Sequence, residues 1–233
     1  MLEPEDRHLL LDALRPPTGY AFDRAVGTTF TLDLAALLTA PVGFALLDRE
    51  SRDGRATADP IALLEAVRKN ADRIDLFCQA GQMALPTDYQ AIVSYLEDSV
   101  HEVTAPRDRY IFHPKVWFIR YRRTEELGPD ESDESYRLLC LSRNLTFDRA
   151  WDTLLRLDGS AEASPLAENR PLEAFIRSLP GMAAQALGVA RRDEIDQLAV
   201  DASRVRFKPP PGFDEVRFVP LGIDKRTPAW PFE

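Results

Sequence analysis

The hydrophobic positions alternate between helical and strand-like spacing along the whole chain. Leu9, Leu10, Leu11 and Leu14 predict a short helix over 5–14, ended by Arg15-Pro16-Pro17. Residues 22–30 read as a strand, since Thr28, Thr29 and Thr31 favour β structure. Thr31 or Asp33 is placed to cap a helix over 34–39, which Pro41 ends or kinks. A polar loop covers 49–59, and Asp59-Pro60 opens a helix that runs to about Asn70. A strand over 72–79 follows, then a turn at Gly81, a helix over 88–96 and a short strand over 100–104. Two longer β-rich runs come next, 110–121 and 136–146, joined by an acidic connection that carries Gly128-Pro129. Residues 151–157 form a further strand or start a helix. Helices are expected over 171–179 and 181–200, within a helical segment spanning 160–205, and a last strand over 216–219. No internal repeat is visible. The pattern predicts an α/β fold, a mixed sheet with helices on both faces, as one domain over 1–233.

The two long runs break the apolar pattern in one respect. Tyr110-Ile-Phe-His113-Pro-Lys115 and Cys140-Leu-Ser142-Arg-Asn144 carry polar residues where a buried strand would carry apolar ones. Side chains two apart on a strand share a face, so His113 pairs with Lys115 and Ser142 with Asn144. Neighbouring strands would then converge an imidazole, an ammonium, a hydroxyl and an amide on one patch. That set suits the binding and attack of a phosphate.

Composition narrows the class. Hydrophobic content of 45% and charged content of 29% are ordinary for a globular protein. The net charge of −9 argues against a generally basic nucleic-acid binder. Arg107, Arg109, Lys115, Arg120, Arg122 and Arg123 nevertheless form a local basic stretch with the single acid Asp108, compatible with a phosphodiester substrate or with an arginine-decorated exposed strand. The two cysteines, Cys78 and Cys140, sit in apolar runs and read as buried, reduced thiols of a cytoplasmic protein. The acidic N-terminus does not resemble a signal peptide, and the longest apolar run, 34–47, is too short to span a bilayer, so no membrane partner is expected.

His113-x-Lys115 followed by Ser142-x-Asn144 resembles the signature of the phospholipase D superfamily. The continuation Leu145-Thr146 and Ala150-Trp151-Asp152 is similar to its tyrosyl-DNA phosphodiesterase and nuclease branches. The resemblance implies a phospholipase D-like fold and phosphodiester hydrolysis through a phosphohistidine, with neither metal nor other cofactor. His113 would be the nucleophile. Lys115 and Asn144 would stabilise charge on the phosphate oxygens, and Ser142 would support the phosphate or the histidine. Asp152 is the candidate carboxylate for orienting the histidine, with an exposed helix-start residue as the competing reading. Arg109, Arg120 and Trp117 are candidate substrate contacts. Core or rim packing is the competing reading for Trp117 and Trp151, and Arg143 reads as a surface arginine. No acid follows Lys115 within 116–120, which departs from the lipid-hydrolase pattern and favours DNA or RNA.

The family's reaction uses two such motifs, one histidine attacking and one serving the leaving group. This chain holds one; His8 and His101 lack the lysine two residues on and read as surface residues. Three completions follow: a symmetric homodimer, a second phospholipase D-like half for which this is the N-terminal half, or a degenerate half that binds nucleic acid without cleaving it. Members of this branch occur in antiphage systems beside helicases, which makes a defence-system or helicase partner an implication of the resemblance.

Overall fold

The computed structural model describes residues 10–45, 60–85, 91–105, 110–124, 132–147 and 152–223. In chain order the elements are α1 (Leu10–Leu14), β1 (Tyr20–Thr29), β2 (Leu32–Asp33), α2 (Leu34–Leu37), α3 (Thr39–Ala45), α4 (Pro60–Asn70), β3 (Ile74–Gln79) and β4 (Met83–Ala84). A 3₁₀ helix (Ala91–Ser99) leads to β5 (Val100–Val103), β6 (Val116–Arg123), β7 (Glu134–Leu141) and β8 (Leu154–Ala161). Then come α5 (Arg170–Met182), α6 (Val189–Arg204) and β9 (Val205–Phe207).

Seven strands form one mixed sheet in the order β5-β3-β1-β6-β7-β8-β9. The β5, β3 and β1 strands run parallel, and each later neighbour pairs antiparallel. Ile74 to Cys78 of β3 are all buried, which suits their apolar side chains, while Asp75 among them is a buried carboxylate. In β6 the pleat divides the apolar residues between two cores. Trp117, Ile119 and Tyr121 pack with Leu14, Leu37, Phe44 and Val67 of the N-terminal helices. Phe118 packs with Ile176, Leu179, Ile195 and Leu198 of α5 and α6. Helices therefore cover both faces, as expected. The Asp33 carboxylate caps α2, accepting from the Ala35 N–H at 2.9 Å.

Several boundaries differ from expectation. The helix expected over 181–200 is interrupted. Ala183 and Ala184 instead bond along the outer edge of β5, where the Ala184 N–H donates to Glu102 O at 2.8 Å. This satisfies a sheet edge that would otherwise expose its backbone. Of the helix expected over 88–96, residues 88–90 lie outside the described residues, and the described part belongs to a 3₁₀ helix over Ala91–Ser99. No strand forms over 216–219; Val216 and Phe218 pack against the α5–α6 core, and the sheet ends instead on β9, directly after α6.

Buried charge stitches the layers together. Arg137, 1% exposed, donates from Nη1 to the carbonyls of Ala13 (2.8 Å) and Arg15 (2.6 Å) and from Nε to Asp158 (2.5 Å). The Tyr121 hydroxyl donates to Leu14 O at 3.0 Å. Together they hold the last carbonyls of α1, which helical bonding leaves unpaired. His101 is not a surface residue. Its Nε2 lies 2.9 Å from Oδ1 of the fully buried Asp75, which Arg24 and Arg191 also engage. His8 lies outside the described residues. Burial, and then Glu102, push the Cys78 thiol up to about 11. Cys140, expected to be buried, is exposed. Among the described residues no helix is long and apolar enough to cross a membrane.

Candidate active site

The site is assembled at one end of the sheet, where β1 and β3 finish, β6 begins and β7 ends. Parallel α/β sheets commonly bind ligands outside the carboxyl ends of their strands. The β6–β7 pair is the expected antiparallel hairpin, but neither strand reaches its polar motif. The β6 ladder starts at Val116, after Lys115, and β7 stops at Leu141, before Ser142. The register pairs Val116 with Cys140 and Trp117 with Leu139, and the Leu141 N–H donates to Lys115 O at 2.9 Å. A continued pleat would therefore put Ser142 on the opposite face from Lys115. Simple strand periodicity does not bring the motifs together; bends at Ser142 and Arg143 redirect the second arm.

Two adjacent buried threonines at the end of β1 hold both arms. The Thr28 hydroxyl accepts from the Val116 N–H at 3.0 Å, and the Thr29 hydroxyl accepts from the Leu145 N–H at 3.0 Å. Thr29 also donates to Thr31 O at 2.8 Å. Successive side chains on a strand point to opposite faces, so one strand reaches two arms. Thr28→Val or Thr29→Val would leave a buried N–H unpaired, and each is expected to lose about 1–3 kcal/mol of stability. Urea unfolding measures that loss. Amide exchange should accelerate at Val116 or Leu145 respectively, and unchanged exchange would show that the hydroxyl does not hold the arm.

Phe30 is the meeting point of the motif residues. Its N–H donates to Asn144 Oδ1 at 3.3 Å, and its ring lies 4.9 Å from the His113 ring between centroids. This fixes the Asn144 amide oxygen and leaves its NH₂ as the group available for a ligand. Lys115, 9% exposed, places Nζ 3.0 Å from His113 Nδ1 and 3.3 Å from Nε2, and also donates to His113 O at 3.3 Å. Burial and then the neighbouring Lys115 ammonium hold His113 below the usual histidine range. Burial lowers Lys115 as well, opposed by Cys140.

Ser142 and Asp152 form a second, adjoining unit. Ser142 Oγ donates to Asp152 Oδ1 at 2.9 Å and accepts from the Thr153 N–H at 2.9 Å, while Arg143 Nε lies 3.4 Å from Asp152 Oδ2. Asp152 thus latches the end of β7 to the approach of β8. It does not orient His113, and among the described residues no carboxylate contacts that ring. Arg143, read as a surface arginine, is the other partner of this latch.

Two expected substrate contacts are placed elsewhere. Arg120 is 5% exposed and bound by Asp23 at 2.6 Å and Asp201 at 2.7 Å. The β1 register shifts between Phe22 and Arg24, at Asp23, and α6 supplies Asp201. Trp117 is 2% exposed and packs on Gly27, where an added Cβ would lie 2.9 Å from the indole. It belongs to the core, as its competing reading held. Arg109 and Trp151 lie outside the described residues. The threonine clamp and Phe30 were not singled out from sequence, because their signal is an ordinary β-forming run.

Among the described residues no group of three or more His, Cys, Asp or Glu side chains is arranged to hold a metal ion. Fold and site define an α/β protein whose mixed sheet, flanked by helices, carries a histidine, lysine and asparagine cluster at one end. No family model matches the chain, and no curated protein matches it. Among solved structures, a mutant of the yeast tyrosyl-DNA phosphodiesterase is similar, with 14% identity and a TM-score of 0.43. The similarity covers 82% of this chain and 36% of that enzyme's chain.

Proposed function

We propose that this chain is a phospholipase D-like phosphodiesterase acting on DNA or RNA, with His113 as nucleophile. The observation that carries the reading is the meeting of His113, Lys115 and Asn144 around Phe30. An imidazole held below its usual range is neutral at cellular pH and has a lone pair to offer. Lys115 Nζ lies against both ring nitrogens. An arriving phosphate competes for the ammonium, which releases the ring nitrogen for in-line attack.

As the N–P bond forms, the bond from phosphorus to the leaving oxygen breaks. Lys115 and the Asn144 NH₂ stabilise the non-bridging oxygens. Water then attacks the phosphohistidine, returning the free imidazole and releasing the phosphate product. Ser142, latched by Asp152, braces the second arm. The leaving oxygen needs a proton, and we assign that role to a second motif from a homodimer mate or another phospholipase D-like half. A role in antiphage defence beside a helicase rests on the sequence resemblance alone.

The test is incubation with labelled DNA and RNA in excess EDTA. Wild type is expected to cut, and Lys115→Ala to cut at least about 100-fold more slowly, in line with loss of one preorganised charge donor. Absence of cutting, with binding that survives His113→Ala but falls in Lys115→Ala, would favour a non-catalytic nucleic-acid-binding or dimerisation module instead.

A further inference from the structure

His113 belongs to two features at once. It sits in the phosphate-directed cluster, and it also lines a groove of about 510 Å³ whose other walls include Tyr110, Ile111, Phe175, Met182 and Leu221. Apart from His113 these walls are apolar or aromatic. Tyr110 and Ile111 stay 57% and 64% exposed, although the neighbouring Phe112 is anchored. The Phe112 N–H donates to Gln79 Oε1 at 2.7 Å, and the Phe112 ring is buried in the α5–α6 core. Next to the anchored Phe112, two large side chains therefore face solvent beside a cationic centre. Leu221 on the facing wall is also exposed, so the groove leaves apolar surface open on both sides.

We propose that this groove receives one unpaired nucleobase of the strand whose phosphate sits at His113 and Lys115. This rests on the phosphodiesterase reading above. Continuity through His113 places the groove within one nucleotide of the phosphate. The flat π face of a base is complementary to a groove lined by Tyr110 and Phe175, while its anionic backbone is complementary to Lys115. A base inside a duplex is stacked and paired, and it would have to leave the helix to enter. The groove therefore selects single-stranded DNA or RNA over duplex. It makes Tyr110 and Ile111 specificity-determining residues.

The experiment measures equilibrium binding to the His113→Asn protein, which keeps a planar polar side chain and removes the nucleophile. The probes are a fluorescent oligothymidylate decamer, a decamer of the same length with abasic residues throughout, and a blunt duplex. We expect the thymidylate strand to bind about tenfold more tightly than the abasic strand, as one stacked base would give. The duplex should bind no better than the abasic strand. Tyr110→Ala/Ile111→Ser should abolish the thymidylate advantage while leaving abasic binding and the melting temperature unchanged. Equal affinity for thymidylate and abasic strands, with loss of both in Lys115→Ala, would overturn the groove proposal and leave the phosphate site standing. Tighter duplex binding would also overturn it. Failure of every nucleic acid to bind, or displacement from the groove by phosphatidylcholine vesicles, would overturn both the groove and the nucleic-acid reading.

Discussion

Replacing Arg137 by methionine should destabilise the protein more than any change at the candidate active site. The guanidinium is almost fully buried between β7 and the end of α1, and it satisfies Ala13 O, Arg15 O and Asp158 together. Methionine fills similar space but donates nothing. Ala13 O and Arg15 O would lose their Arg137 donor at about 1–3 kcal/mol each, while the partly exposed Asp158 would keep its bond from Arg156 Nε at 2.7 Å. For a chain of this size that corresponds to a fall in melting temperature of roughly 10 °C, at about 2–4 °C per kcal/mol. Thermal unfolding followed by circular dichroism reads it directly. A shift of under about 2 °C, below the loss of one net hydrogen bond, would show that the guanidinium does not anchor α1.

Replacing His113 by alanine should have the largest effect on activity. His113 is mostly open to solvent and only partly desolvated, so stability should hardly change, while cleavage in EDTA should fall by roughly 10³-fold or more, as for other removed nucleophiles. The pH profile gives a sharper signature. The attacking form is the neutral ring, so the rate should rise with pH through a midpoint below the ordinary histidine value of about 6.5. Both burial and the Lys115 charge disfavour the imidazolium, which sets that direction. At high pH the rate should fall as Lys115 loses its proton, also below the ordinary lysine value of about 10.4, because burial lowers it. Lys115→Met removes the positive neighbour, so the His113 titration followed by NMR should move upward. An unmoved or lowered midpoint would break the proposed coupling between the two side chains.

The sequence and the structure agree most closely where the information is local. The largely apolar β3, the Asp33 cap, the Pro60 helix start and the β6–β7 hairpin all follow from the types and spacing of nearby residues. The two halves of the polar motif were also visible, because charged and amide groups stand out in otherwise apolar runs. Arg120 and Trp117 show the limit of that reasoning. Both lie on β6 close to the motif, yet one is neutralised by acids from β1 and α6 and the other fills the space left by Gly27. Asp152 is near the motif in sequence, but Ser142 and Arg143 claim its oxygens.

The sequence by itself determined the class of fold, the pairing of the two motif strands and the chemistry of the side chains offered to a ligand. Only the tertiary structure decided how those side chains meet. In strict register the pleat would separate Lys115 from Ser142, and the motif arms are positioned instead by Thr28 and Thr29, which lie 88 and 116 residues away from Val116 and Leu145. The physical reason is that periodicity reports which way a side chain points along its own strand. A hydrogen bond closed across so long a stretch of chain depends on register, bends and packing between layers, which no local pattern contains.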